Sequence, residues 1–212
     1  MKSLIAVPCM DTVATPFCQS LLTMNRVGDQ CSVSFHVGSL VSESREKLAA
    51  LAISAEADYV LWLDSDMIFA PDTMERLYKH MQTHDIVTGL YFRRRPPFTP
   101  VIFKKLRLED GACIFEDYDD YPRDRLFPVE GIGFGCVMMK TEVLMDVFSK
   151  FNTCFTMIGR NGEDVSFSMR ARECGYKIMC DPSIKCGHIS HTVINEDFFT
   201  NYKQQQKKGQ QA

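Results

Sequence analysis

The sequence has no apolar run near the roughly 18 residues that span a bilayer. Its opening, Met1-Lys2-Ser3-Leu4-Ile5-Ala6-Val7-Pro8, has too short an apolar stretch for a signal peptide and reads as a first strand. A cytoplasmic protein without a transmembrane segment is therefore expected. There is no excess of one charge: 24 Lys and Arg stand against 27 Asp and Glu, a net charge of -3. That balance excludes a nucleic-acid binder held mainly by phosphate contacts. The nine cysteines contain no CxxC pair and are odd in number, so reduced thiols are expected, several of them buried. Cys180, Cys186 and His188 lie close in sequence, but without such a pair a structural zinc site is not expected. There is no GxGxxG, no internal repeat and no linker long enough to separate a second domain.

What is present suits an ordinary soluble domain. The chain has 212 residues, 45% hydrophobic and 24% charged, enough to fill one core. Leu4–Val7 reads as a buried strand, residues 15–26 as a helix with Pro16 in its first turn, and Val33, Phe35 and Val37 as an alternating strand ending at Gly38. Ser42 or Ser44 is placed to cap a helix whose apolar face is Leu48, Leu51, Ala52 and Ala55. Tyr59–Leu63 (YVLWL) is a continuous apolar run, as in a parallel strand covered on both faces. Pro71 sits where a helix N1 proline belongs, ahead of Met74, Leu77, Tyr78 and Met81, and Ile86–Tyr91 is the next strand. The first 92 residues thus alternate strand and helix, which predicts an α/β sheet with right-handed crossovers.

Residues 93–107 are basic and 109–125 acidic, read as a small β-hairpin excursion with solvated charged faces. Val129–Lys140 is a glycine-rich loop running into a strand, and Thr141 is placed to cap the next helix. Gly162-Glu163-Asp164 opens another helix, with Gly175 as its C′ residue. The domain is expected over 1–200, and 201–212 reads as a polar tail without a fixed fold.

The chemistry-bearing feature is Asp64-Ser65-Asp66, directly after YVLWL. Asp-x-Asp alone is weak, and a second copy, Asp117-Tyr118-Asp119, lies in the acidic stretch. Position separates them, because open α/β sheets bind ligands beyond the carboxyl ends of their strands. Alternation places Asp64 and Asp66 on one side, where two like charges call for a cation or donors. Mg²⁺ or Mn²⁺ with a phosphate suits such oxygens; a turn capped by either carboxylate is the alternative. Arg45, in the first turn of its predicted helix, opposes the macrodipole. It either meets an anion such as a pyrophosphate or pairs locally with Glu43 or Glu46.

With these residues the chain resembles the GT-A glycosyltransferases, most of all small family-2-like members of phages and other viruses. The resemblance rests on Ile5–Pro8, Ser44–Leu48, Tyr59–Met67, Thr88–Phe92, Gly131–Gly135, Gly162–Phe167, Gly175–Ile178 and His188, in the family's order. It implies a GT-A (Rossmann-like) mixed sheet flanked by helices in a single domain. It also implies metal-dependent, inverting chemistry: sugar transfer from a nucleotide-sugar, a UDP-sugar favoured, to a hydroxyl of a carbohydrate or glycoconjugate acceptor. Asp64 and Asp66 would bind the cation and the donor diphosphate, with Asp66 the more direct ligand, and His188 would complete the Mn²⁺ or Mg²⁺ site. Asp164 would be the general base, with Glu163 beside it. Pro8, Asp11, Arg45, Ser65, Arg93 and Gly133 complete the donor-side candidates. The location would be a host cytoplasm if the chain is viral.

After the second strand the family usually carries an acidic pair; here the residues are Phe35-His36-Val37-Gly38-Ser39, and Asp11 is a candidate for some of that role. Asp164 in a first helical turn is expected to be ionised, its pKa lowered by the macrodipole. Arg93–Arg95 would stabilise the departing diphosphate, and the Gly131–Gly135 loop would let backbone approach the sugar. The acceptor is expected among the loops of residues 93–130. On position alone, Glu163 and Asp164 read equally as ordinary first-turn acids, and His188 or its neighbour His191 as a structural histidine. Two other classes fit the same sheet: a nucleotidyltransferase, though no Gly-rich, Lys-bearing first loop is present, and a non-catalytic sugar- or nucleotide-binding module.

Overall fold

The computed structural model describes residues 1–38, 40–109, 112–190 and 193–209. In chain order its elements are β1 (Lys2–Cys9), α1 (Thr15–Thr23), β2 (Gln30–Val37), α2 (Val41–Ser54), β3 (Tyr59–Leu63), β4 (Met67–Ile68), α3 (Thr73–His80) and β5 (Ile86–Leu90). Then follow β6 (Ile102–Glu109), β7 (Ala112–Asp117), β8 (Phe127–Val129), β9 (Gly131–Ile132), β10 (Cys136–Lys140), α4 (Thr141–Phe151) and α5 (Glu163–Glu173). The chain closes with β11 (Ile178–Lys185), β12 (Gly187–Ile189), β13 (Val193–Ile194) and α6 (Glu196–Gly209).

β1 pairs in parallel with β2 and β3, as strands joined through helices must. β10 enters antiparallel between β3 and β5, β11 returns parallel to β5, and β8 closes antiparallel to β11. The order is β2-β1-β3-β10-β5-β11-β8, a mixed sheet flanked by helices, as expected for GT-A. The reversed direction of β10 is not legible in sequence, because an apolar run buried on both faces has the same composition in either direction.

YVLWL lacks alternation because the two faces of β3 feed two cores. Val60 and Trp62 pack with Leu48, Val143 and Phe167 on the α2, α4 and α5 side. Leu61 and Leu63 pack with Phe17, Met74 and Leu77 on the α1 and α3 side. All four of these β3 side chains are fully buried, which contributes about 1.5–3 kcal/mol each. Trp62→Ala would cost about 3–5 kcal/mol. This double burial holds the carboxyl end of β3, and the residues that follow it, in place.

β6 and β7 form the expected hairpin, widened by β9 into a three-stranded sheet. A second small sheet, β13-β12-β4, has no counterpart in the sequence reading; strands of two or three residues carry no readable period. Asp110 and Gly111, between β6 and β7, lie outside the described residues.

Helix starts differ from the sequence reading. α2 begins at Val41 without a side-chain cap, and Ser44 is buried with its hydroxyl 3.1 Å from His36 Nδ1. Burial against a neighbour displaces the capping role. α3 begins at Thr73, two residues past Pro71, which lies in the preceding turn. Thr141 is the first residue of α4, and no side chain caps that helix. α5 ends as read: Gly175 has φ +93° and its N–H bonds Arg172 O at 2.9 Å, while Tyr176 N–H bonds Ala171 O at 3.1 Å. That pair of bonds is a Schellman stop.

Residues 201–209, read from sequence as the start of a polar tail, continue α6. Their sequence has no broad apolar stripe, but a few aromatics anchor the helix. Phe198 and Tyr202 meet Phe98 edge-on at 4.6 and 5.0 Å, and Phe199 stacks on Phe92 at 5.0 Å. All nine cysteines are free. Among the described residues no helix is long and apolar enough to cross a membrane.

Candidate active site

Asp64, Ser65 and Asp66 do not continue the extended β3. Met67 N–H bonds Asp64 O at 3.1 Å, closing a turn. Three further backbone bonds pin it: Asp64 N–H to Gly135 O at 3.2 Å, Ala14 N–H to Ser65 O at 3.3 Å, and Ile189 N–H to Asp66 O at 2.8 Å. The two carboxylates therefore do not share one side as strand alternation implied. Asp64 turns to Arg45, and Asp66 turns to His188 and Arg94. Both still line one cavity of about 470 Å³, together with Pro8, Ser65, Tyr91 and Asp164.

Arg45 is 2% exposed. Its Nη2 donates to Asp64 Oδ1 at 2.7 Å and its Nε to Glu163 Oε1 at 3.1 Å, and it lies 5.0 Å over the Phe134 ring. Neither Glu43 nor Glu46 is its partner. Glu46 instead accepts from the Thr153 hydroxyl and from the N–H groups of Cys154, Phe155 and Thr156, which fixes the loop after α4. The local pairing considered from sequence gives way because Arg45, in the second turn of α2, points into the cavity rather than along the helix surface. Burial opposes the Arg45 charge, but Asp64, Glu163 and Asp164 outweigh it and hold the guanidinium firmly protonated. Its Nη1 is buried without a partner, an unusual state for a charged donor.

His188 is oriented by its other nitrogen. Nδ1 lies 2.8 Å from Phe92 O; a carbonyl only accepts, so Nδ1 carries the proton. Nε2 is left facing Asp66 Oδ2 at 3.5 Å. This is the arrangement in which a histidine presents a lone pair to a metal. Burial works against the charge of Asp66, but His188, when its Nε2 also carries a proton, and the nearby Arg94 hold its pKa below the ordinary carboxylate value. Asp66 and His188 supply one carboxylate oxygen and one imidazole nitrogen, a set suited to Mn²⁺ or Mg²⁺ that leaves further positions to a diphosphate. Among the described residues no cluster of three or more protein ligands forms a closed metal site. The residues therefore fit a substrate-completed cation rather than a structural one.

Asp164 behaves opposite to its sequence expectation. Burial, then repulsion from Glu163, pushes its pKa up to about 6, although its Oδ1 accepts the Val165 N–H at 2.7 Å. Desolvation outweighs the helix dipole here. A carboxyl poised near neutrality is the better proton acceptor.

The remaining candidates are dispersed. Asp11 is exposed and outside the cavity lining. Arg93 faces Asp117 at 2.9 Å; its neighbour Arg94 reaches Asp66 at 2.8 Å. The second Asp-x-Asp is structural, with Asp117 on Arg93 and Asp119 on Lys203. His191 lies outside the described residues. Gly133 and Gly135 are glycines because of Tyr91: a Cβ on Gly133 would lie 2.0 Å from the Tyr91 hydroxyl, and one on Gly135 2.8 Å from its ring. Close packing of the Tyr91 side chain accounts for these two glycines. Sequence reading missed Tyr91 as a wall residue. It is 5% exposed, accepts the Gly135 N–H at 3.2 Å, and meets the His188 ring edge-on at 5.5 Å. The paired glycines are its only trace in the sequence.

Residues 46–148 match the model of glycosyl transferase family 2. No curated protein sequence matches the chain. Among solved structures, A197 from STIV superposes with a TM-score of 0.66 at 20% identity, covering 92% of this chain and 94% of that one. GalNAc-T7, solved with UDP, GalNAc and Mn²⁺, superposes with a TM-score of 0.59 at 10% identity, over 90% of this chain and 44% of that one. Matched segment and whole-chain superposition agree: the chain has the GT-A fold, and its residues 46–148 are similar to glycosyl transferase family 2.

Proposed function

We propose that the chain moves a sugar from a nucleotide-sugar, a UDP-sugar by preference, to an acceptor hydroxyl with inversion at the anomeric carbon. One observation carries this reading. Asp66 and Asp164 line the same cavity with opposite electrostatics, the first held charged beside His188 and Arg94, the second pushed up to about 6. A displacement with a diphosphate leaving group needs that pair: a site for developing negative charge and a separate proton acceptor. The GalNAc-T7 structure, with its UDP, GalNAc and Mn²⁺, supports the same choice of ligands.

Asp66 and His188 are the residues that would hold Mn²⁺ or Mg²⁺, which when bound supplies neutralising charge to the diphosphate. Arg45 locks Asp64 against Glu163 and so ties the turn after β3 to the first turn of α5. Glu163 is a positioning residue in this scheme, its carboxylate engaged by Arg45. Asp164 takes the proton of the acceptor hydroxyl as its oxygen attacks the anomeric carbon and the bond to the diphosphate breaks. Tyr91, burial-raised well above the ordinary phenol pKa with Asp64 and Asp164 adding to the effect, stays protonated as a donor in the wall.

The test combines UDP-sugars with Mn²⁺ and measures product release and thermal stability. Nucleoside diphosphate release supports sugar transfer; pyrophosphate release means nucleotidyl transfer instead. Asp66→Ala is expected to lose the metal-dependent stabilisation by donor. Asp164→Asn is expected to keep donor binding and lose transfer, and transfer at an unchanged rate would remove Asp164 from the mechanism.

A further inference from the structure

A second cavity, about 700 Å³, opens beside the first and shares Tyr91, Arg94, Asp164 and His188 with it. Its own wall is built by Arg93, Arg95 and Ser190. Its size accommodates a mono- or disaccharide, and Asp164 lines it while Pro8 and Arg45 do not.

Three consecutive guanidiniums line this space, and among its described lining residues Asp164 is the sole carboxylate. Arg94 is accounted for by Asp66. Arg93 and Arg95 do not line the donor cavity. Arg93 is fixed: Nη2 donates to Asp117 at 2.9 Å, the guanidinium lies 5.9 and 5.8 Å from the Phe103 and Phe115 rings, and its backbone N–H bonds Thr99 O at 3.0 Å. A guanidinium has five N–H donors, so most of Arg93 remains free to bind. Arg95 makes no ion pair among the described residues, while its carbonyl accepts the Phe98 N–H at 2.9 Å. Arg93 and Arg94 each meet one carboxylate, which leaves the Arg95 charge and the spare donors of Arg93 to attract a further anion. Planar forks of this kind suit carboxylate and phosphate oxygens.

We infer that this cavity receives the acceptor, and that the acceptor carries an anionic group, a carboxylate or a phosphate ester, bound by Arg93 and Arg95 while a nearby hydroxyl faces Asp164. The hydroxyl's role rests on the reading of Asp164 given above; the anion site rests on the arginines alone.

Calorimetry tests the anion site without turnover. Methyl glucoside, methyl glucuronide and glucose 6-phosphate, with the galactose series beside them, are titrated into the full chain with UDP and Mn²⁺ present. At least one anionic sugar is expected to bind tenfold or more tighter than its neutral counterpart, and Arg95→Gln is expected to remove most of that margin while changing neutral binding less than twofold. The tighter of glucuronide and phosphate identifies the anion. Equal binding of neutral and anionic sugars, or a margin that survives the double substitution Arg93→Gln and Arg95→Gln, overturns the inference. Transfer assays with the same sugars then separate the two readings. Arginine-dependent binding without any transfer upholds the anion site and defeats the transferase; efficient transfer to neutral acceptors alone defeats the anion site and upholds the transferase.

Discussion

Arg94 reaches Oδ2 of Asp66 at 2.8 Å, the same oxygen that faces His188 Nε2 at 3.5 Å. A guanidinium therefore holds the oxygen that the proposed cation would bind. The pair is about half exposed on the arginine side, and such pairs contribute about 0.2–1 kcal/mol. Arg94→Ala should accordingly tighten Mn²⁺ binding about two- to fivefold in the absence of nucleotide, read by manganese paramagnetic resonance. Weaker binding would mean that Arg94 organises the site rather than competing for it.

Asp164 gives a pH dependence with a definite sign. Its pKa is raised from 3.8 to about 6, so the folded chain holds this proton more tightly than the unfolded chain. The stability it lends is present below about pH 4 and is lost as pH rises through about 6. Asp164→Asn should therefore be more stable than the parent at pH 7, by at most about 3 kcal/mol, and the difference should vanish near pH 4 in urea titrations. In the parent, transfer should rise with pH through about 6 as the carboxylate forms. An Asn variant less stable than the parent at pH 7 would contradict the burial argument.

Arg45→Met removes the shared partner of Asp64 and Glu163. Leaving two partly buried carboxylates unpaired is expected to cost about 3 kcal/mol in denaturant unfolding. Arg45→Lys should recover little of it, since an ammonium on a flexible stem does not bridge both acids as the guanidinium fork does. Full stability in the lysine variant would show that charge, not geometry, is what this position supplies.

Gly133→Ala drives a methyl to 2.0 Å from the Tyr91 hydroxyl and 2.6 Å from Val101. Overpacking of this kind costs about 1–3 kcal/mol. Tyr91→Phe in the same chain should restore some of the loss, because only one of the two clashes involves the hydroxyl. A double-mutant cycle with no coupling would refute the account of this glycine.

The sequence carries the order of strands and helices through residue 92 and the position of the acidic turn, because apolar runs and a turn after a strand have local causes. It also carries the GT-A resemblance. Pairings across long distances are not legible in it. Arg45 meets Glu163 across 118 residues of chain, and no local pattern encodes that bond. The Asp164 pKa goes the other way from its sequence expectation because helix position is local whereas desolvation comes from the whole cavity. Arg94, not Arg93, serves Asp66, and adjacent arginines are indistinguishable until the turn after β5 sets which one points there.

α6 lies far from the carboxylates in sequence, yet Phe198 and Tyr202 hold Phe98. Phe98 has φ +54°, a left-handed conformation that a bulky residue keeps only under external restraint. The terminal helix is thus a brace on the arginine turn. If this turn receives the acceptor as inferred above, preference among acceptors would drift through changes in that remote brace while the residues proposed to handle the donor stay as they are.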